Sequence, residues 1–151
     1  MSVLTKKWNE NTVNWDEAIE NYNISINKKW NVKHKPYGFF VTHDADLIEK
    51  VKESLKKLDC ALAHLYFSLD TKTKTYGWHV DPVEVFYWQC IGKVEVETED
   101  NKYILEPGDL LKIPIGMKHN FIPLTPRLGV SMSIKPTKEH IEKFRGTFQR
   151  I

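Results

Sequence analysis

The periodicity of the chain changes at Cys60, and that change does more than any other feature to limit its architecture. Up to Ile134 the apolar residues then recur at every second position. They do so in seven runs, "ALAHLYFSL", "HVDPVEVFYWQC", "KVEVETE", "KYILE", "DLLKIP", "KHNFIP" and "RLGVSMSI", each bounded by Gly, Pro, Asp or Asn. A period of two puts successive side chains on opposite faces of a strand. Short strands joined by tight turns build an antiparallel sandwich or barrel.

Ahead of Cys60 the spacing is helical. Residues Thr12 to Tyr22 begin with a polar cap candidate and set Trp15, Ala18, Ile19 and Tyr22 on one stripe, which predicts a short amphipathic helix. "KHKPYGFFVTH" predicts a loop and a short strand. Asp44 is then expected to start a firmer helix, with Leu47, Ile48, Val51, Leu55 and Leu58 packed on a sheet and Lys50, Glu53, Lys56 and Lys57 in water. Pro136 and Thr137 open a last helix with Ile141 and Phe144 on its inner side. The 151 residues carry no repeat, linker or low-complexity tract, so a single domain is expected. Within it, 1–59 form a helical and extended cover, 60–134 the barrel core and 135–151 a C-terminal helix.

Charge excludes more than it suggests. Basic and acidic residues number 22 and 20, mixed along the chain, and the net charge of +2 creates no field that draws nucleic acid or a membrane surface. Cys60 and Cys90 lie in apolar runs without a CxxC partner, the pattern of reduced core thiols in a cytoplasmic protein. The N-terminus lacks the apolar core of a signal peptide, and no run is long enough to span a bilayer.

Chemistry concentrates in "YGWHVDPVEVFYWQCIG". If this stretch is a strand, His79 and Asp81 project from one face and Val80 from the other. His119, after the Pro114-Ile115-Gly116 turn, supplies a second imidazole. Two imidazoles and a carboxylate form the facial triad that suits non-haem Fe(II) and leaves positions open. Taken alone, His79 and Asp81 read more readily as a hydrogen-bonded surface pair.

The segment Gly108 to His119 has the form G, five residues, P, one residue, G, two residues, H, and resembles the second signature of the cupins at all its fixed positions. "HVDPVEVFYWQCIGKVEVETEDNKYILEPGD" resembles the first cupin signature, with HxD in place of HxH and Glu84 one place off the usual glutamate position. This combination is similar to the JmjC-type cupins, and covers Leu62 to Ile134. The resemblance implies a mainly β fold, a double-stranded β-helix or jelly-roll barrel with flanking helices. It also implies metal ligation by His79, Asp81 and His119, and activity as an Fe(II)/2-oxoglutarate hydroxylase. Glu84 faces away by alternation and is expected in a surface contact or one behind the ligands.

Such relatives anchor the far carboxylate of 2-oxoglutarate on a basic residue fifteen places after the first histidine, a place held here by Val94. Lys93 points to water and does not substitute without a shift of register. On the last strand Arg127, Gly129, Ser131 and Ser133 share a face with room for a ligand. Arg127 lies eight residues after His119 and is similar in place to the arginine of prolyl-hydroxylase-like enzymes. It is either that anchor, with Ser131 beside it and Tyr66 as a third contact, or an ordinary surface arginine. His64, Tyr66 and Ser68 share a face that lines a cavity or packs as core, whereas Phe86, Tyr87 and Trp88 read as core wall. His34, His43 and His140 read as surface residues.

Three functions stay open on these residues. They are an Fe(II)/2-oxoglutarate oxygenase of unspecified substrate, a metal-dependent cupin dioxygenase, isomerase or lyase without 2-oxoglutarate, and a non-catalytic ligand-binding cupin. The loop from Asp70 to Gly77, the N-terminal segment and the barrel mouth are left to set specificity. Cupins commonly pair their sheet edges, so a homodimer is expected.

Overall fold

The computed structural model describes residues 1–28, 32–35, 38–73 and 75–143. Along the chain come β1 (Val3–Thr5), α1 (Trp15–Ile26), β2 (Val32–Lys35), β3 (Phe39–Thr42), α2 (Glu49–Leu58), β4 (Leu62–Ser68) and β5 (Val85–Ile91). They are followed by β6 (Val94–Thr98), β7 (Lys102–Leu105), β8 (Leu110–Ile113), β9 (His119–Pro123), β10 (Arg127–Ser133) and α3 (Lys138–Lys143). A seven-stranded sheet in the order β1-β8-β5-β10-β4-β3-β2 faces a three-stranded sheet in the order β7-β6-β9, as a jelly roll requires. Every pairing is antiparallel.

The two faces of the large sheet have different work. One face carries Leu65 and Phe67 of β4, Trp88 of β5, and Leu128, Val130 and Met132 of β10, which pack under the helices against Ala18, Val51 and Leu55. The opposite face looks toward the small sheet. There Tyr87, Leu111 and Ile113 meet Val94, Val96 and Leu105 in a second apolar cluster. Alternation along each strand therefore separates a helix-covered core from the barrel interior.

The seven runs after Cys60 all become strands, and the helices differ from expectation in their ends. α1 starts at Trp15 because Asn14, not Thr12, is its cap. The Asn14 side chain accepts the Glu17 amide at 2.9 Å, and the Glu17 carboxylate accepts the Asn14 amide at 3.1 Å, a complete capping box. Ile19 is 52% exposed. The buried stripe runs instead through Ala18, Asn21 and Ser25, and Asn21 is held by the Asp44 carbonyl and the Thr42 hydroxyl.

Asp44 does not start a helix. Its carboxylate takes the Ser25 hydroxyl at 3.0 Å and Lys28 Nζ at 3.2 Å and makes no cap hydrogen bond to the turn that follows. A 3-10 turn, Ala45–Leu47, follows, and α2 begins only at Glu49. In that turn Leu47 swings outward, 45% exposed, while Ile48, Val51 and Leu55 are buried and Leu58 packs at their edge. α3 buries none of its residues. Ile141 is partly exposed, and Phe144 lies outside the described residues.

The first 59 residues do more than cover the barrel, since β1, β2 and β3 extend the large sheet at both edges. β1 is secured by side chains: Ser2 Oγ reaches Asp100 and Tyr103, each at 2.6 Å, and Lys6 Nζ reaches the buried Asp109 carboxylate at 2.6 Å. Cys60 and Cys90 are free thiols. No described helix is long and apolar enough to cross a membrane.

Candidate metal centre

His79 and Asp81 lie just ahead of β5, not within it. The sequence suggests a continuous strand from His79, but Pro82 and the residues around it interrupt regular pairing, and β5 begins at Val85. His79 instead forms an isolated antiparallel bridge with His119 at the start of β9, with N–H to O distances of 3.0 and 2.9 Å in the two directions. The bridge carries the HxD segment to the edge of the small sheet. It puts the two imidazoles side by side, with ring centroids 4.3 Å apart. The Gly116 amide donates to the Asp81 carbonyl at 3.3 Å and ties the Pro114–Gly116 turn to the same segment.

The donor atoms of His79, Asp81 and His119 all lie within 4.8 Å of one another. Asp81 Oδ2 is 3.1 Å from His119 Nε2, and Asp81 Oδ1 is 3.9 Å from His79 Nε2. The first spacing is near the ~3 Å that two ligands at right angles subtend on a cation with bonds of about 2.1 Å. The far nitrogens are already committed. His79 Nδ1 lies 2.7 Å from the Gly77 carbonyl and His119 Nδ1 lies 2.9 Å from the Met117 carbonyl. Anchoring Nδ1 on a carbonyl turns each Nε2 toward Asp81 and fixes the ring, the usual support for a metal-binding imidazole. The donor set and its backing therefore fit a divalent cation.

Exposure rises from 2% at the His119 side chain to 10% at His79 and 32% at Asp81, so the group opens on its carboxylate side. Burial works against the charged Asp81 carboxyl. The hydrogen bond and charge of His119, then the charges of His79 and His64, outweigh it and hold this group below the usual carboxylate range.

The triad borders a cavity of about 150 Å³ between the sheets. Its other notable group is Arg127, whose side chain is only 2% exposed. Arg127 Nε donates to Ser68 Oγ at 2.9 Å and Nη1 donates to the Tyr87 hydroxyl at 2.7 Å. Tyr87 donates in turn to Gln89 Oε1 at 2.7 Å, and Gln89 Nε2 is held by the carbonyls of Ile91 and Gly92, each at 2.9 Å. This chain fixes the direction of the Tyr87 proton, so the phenol oxygen turns its lone pair toward the guanidinium. Gly129 makes room for it, because a Cβ there would lie 1.8 Å from the Tyr87 oxygen. The rings of Phe39, Tyr66, Tyr87 and Phe121 surround the guanidinium carbon at 5.7 to 5.9 Å. No carboxylate among the described residues pairs with Arg127.

The structure brings most of the residues singled out in the sequence to this cavity. His79, Asp81, His119, Arg127, Ser131, Tyr66 and His64 line it, and Ser68 braces the arginine. Burial raises the Tyr66 phenol far above its ordinary value, with Tyr76 and Asp81 adding to the shift and the Ser131 hydroxyl opposing it. Lys93 and Glu84 are exposed, and Val94 is fully buried in the inner apolar cluster. His43, expected at the surface without a partner, sets its ring 4.7 Å from that of His64. The side chain of His34 is outside the described residues, and His140 exchanges hydrogen bonds with Thr137 at the start of α3. Tyr87 reads in the sequence as core wall and is both core and cavity. Its signal was the alternation that sets it two residues from Gln89, a buried amide in an apolar strand.

The architecture and this site define the class: a cupin-type double-stranded β-helix carrying an HxD…H triad. No family model matches the chain, and no curated protein does. Among solved structures it is similar to the ribosomal oxygenase YcfD from Escherichia coli in complex with cobalt and 2-oxoglutarate. The TM-score is 0.71 at 17% identity, over 94% of this chain and 50% of that one. It is also similar to a cupin superfamily protein from Desulfitobacterium hafniense, with TM-score 0.51 and 13% identity over 68% of this chain and 82% of that one. A third likeness is to acireductone dioxygenase from Bacillus anthracis with a cadmium ion in its active centre, with TM-score 0.52 and 12% identity over 89% and 78% of the two chains. At these identities the likeness is one of fold, and the chain spans about half the length of the ribosomal oxygenase.

Proposed function

We propose that the protein is an Fe(II)- and 2-oxoglutarate-dependent cupin oxygenase that hydroxylates an unactivated C–H bond. The single observation that carries this reading is Arg127, a cation sealed in the same cavity as the triad and paired with no carboxylate among the described residues. An unpaired buried charge costs several kcal/mol, and a ligand carboxylate removes that cost. Val94 stands where many relatives have their basic anchor, and Arg127 takes over that role from the opposite sheet.

Each residue has a part that follows from its surroundings. Ser68 and Tyr87 occupy Nε and Nη1, which leaves Nη2 to receive the far carboxylate of 2-oxoglutarate in a preset orientation. Ser131 and Tyr66 offer hydroxyls beside it. The aromatic rings around the guanidinium keep water from competing. His79 and His119, backed by the Gly77 and Met117 carbonyls, and Asp81, the most open of the three, would hold the metal. When bound, Fe(II) would supply the redox chemistry by which dioxygen turns 2-oxoglutarate into succinate and carbon dioxide and leaves one oxygen atom on the substrate.

A second reading is favoured by Val94: a metal-dependent cupin that makes no use of 2-oxoglutarate and sets a carboxylate of its own substrate on Arg127. Titration of 2-oxoglutarate into anaerobic, Fe(II)-loaded protein separates the two, with succinate release in air as the second readout. Saturable binding and succinate support the oxygenase. Metal retention without either overturns it in favour of the second reading, and failure to bind metal leaves only a non-catalytic cupin.

A further inference from the structure

The cavity has two chemically different ends. Pairing of β4 with β10 sets Arg127 opposite Ser68, Gly129 opposite Tyr66, Ser131 opposite His64 and Ser133 opposite Leu62. The ladder therefore runs from the arginine end to the His64 and Ser133 end over roughly 20 Å, at about 3.4 Å per residue. Among the described residues, Arg127 and Asp81 are the only Asp, Glu, Lys or Arg residues lining the cavity, and Asp81 belongs to the triad. The end away from Arg127 has Leu62, Val83 and Val85 as apolar wall and His64, Ser131 and Ser133 as uncharged hydrogen-bonding groups, and the charge that acts on His64 there is that of Asp81 in the triad.

His64 is the distinctive group there. Among the described residues its ring contact is with His43, and neither of its ring nitrogens has a hydrogen-bond partner there. Burial, with the neighbouring His43 adding to it and Asp81 opposing, brings its imidazole down to about 4, so it is neutral at physiological pH. A neutral imidazole presents one N–H donor and one acceptor lone pair. Such a pair matches a primary amide or a hydroxyl, which also donate and accept. The carboxylate within charge range of it, Asp81, belongs to the triad with His79 and His119, so an ammonium or guanidinium buried here would compete with the triad for its partner.

Resting on the oxygenase reading for the arginine end, we infer that His64 is a specificity-determining residue for the second substrate, and that it takes an uncharged amide- or hydroxyl-bearing group and excludes cationic side chains. Binding at this end needs neither turnover nor 2-oxoglutarate, so the two readings fail separately.

The test uses saturation-transfer NMR on the purified protein, with the Nα-acetyl amides of asparagine and serine as neutral probes and those of lysine and arginine as cationic ones. We expect the neutral probes to bind at least about fivefold more tightly, the worth of one neutral hydrogen bond, and to move the ring resonances of His64. His64→Gln, which keeps a donor and an acceptor, should retain this preference, and His64→Leu should abolish it. Equal or tighter binding of the cationic probes, neutral binding that survives in His64→Leu, or no binding of any probe overturns the inference. If His64→Leu does not fold, the His64 resonance shift in the wild type and the His64→Gln preference decide. A 2-oxoglutarate titration of the same samples reports on Arg127 independently.

Discussion

At the scale of single residues, Arg127 and His119 divide the work of the cavity and predict opposite failures. Arg127→Ala should raise the dissociation constant for 2-oxoglutarate at least about tenfold, because a charge-assisted hydrogen bond contributes about 1.5–3 kcal/mol. Metal content should be unchanged, and an unaltered dissociation constant by calorimetry would remove the anchoring role. His119→Ala should lose most of the metal, read by elemental analysis after loading with Fe(II), Zn or Mn, since the remaining two ligands are the more exposed ones; full occupancy in that variant would sink the triad. The triad was legible because its residue types and spacing are unusual, and because the Pro114-Ile115-Gly116 turn places His119. The position of Arg127 was half legible. Alternation put it on one face with Gly129 and Ser131, but which face looked inward depends on the helices that cover the other. Tyr87 is the core wall residue that its aromatic run suggests, and its second role shows only where its hydroxyl meets Arg127.

At the scale of elements, the strands were clear in the sequence and the helix ends were not. The period of two survives wherever one face is buried, so all seven runs after Cys60 appear as strands, whereas β1 and β2 span only three and four residues and are too short to show a period. Helix starts turn on one competing hydrogen bond. Asn14 wins over Thr12 because Glu17 lies three residues on, and Asp44 loses its cap role to Lys28 and Ser25, partners distant in sequence. Asn14→Ala should therefore lower stability by about 1 kcal/mol in denaturant melts, and no loss would show that the packed face alone holds α1. The anchor of β1 predicts a pH dependence. Hydrogen bonds from the Ser2 hydroxyl, then Thr98 and the Ser2 amide, hold the Asp100 carboxyl down at about 2. Its ordinary value is near 3.9. A depressed carboxyl stabilises the fold fully above about pH 4 and loses that contribution as pH falls toward about 2. Asp100→Asn should flatten this part of the acid limb in thermal melts, and an unchanged limb would discount the anchor. The group is exposed, so the effect is modest.

At the scale of the whole molecule, β1 and β2 are the free edges of the large sheet. Both are short, and Lys33 in β2 discourages open-ended stacking. Short guarded edges favour a closed pair over a fibre, and we expect a homodimer. Light scattering at tens of micromolar should give twice the 17.7 kDa chain mass, and the mass of a single chain would refute the dimer. The architecture itself was legible at this scale, because a switch of period and a set of turns suffice to define two facing sheets. Partner, substrate and assembly were not, since they depend on surfaces that no periodicity encodes. The division of the large sheet into a helix-covered face and a ligand-facing face has a consequence for how such a chain can diverge. In β10 the odd-numbered residues Arg127, Gly129, Ser131 and Ser133 face the ligand space, and the even-numbered Leu128, Val130 and Met132 face the helices. Insertion or deletion of one residue in the strand would exchange the two sets, burying a guanidinium under the helices and lining the cavity with methyl groups. Substitution at odd positions leaves the helix-facing packing in place. New substrates are then reached by replacing every other letter of these strands, while changes of length are confined to the turns.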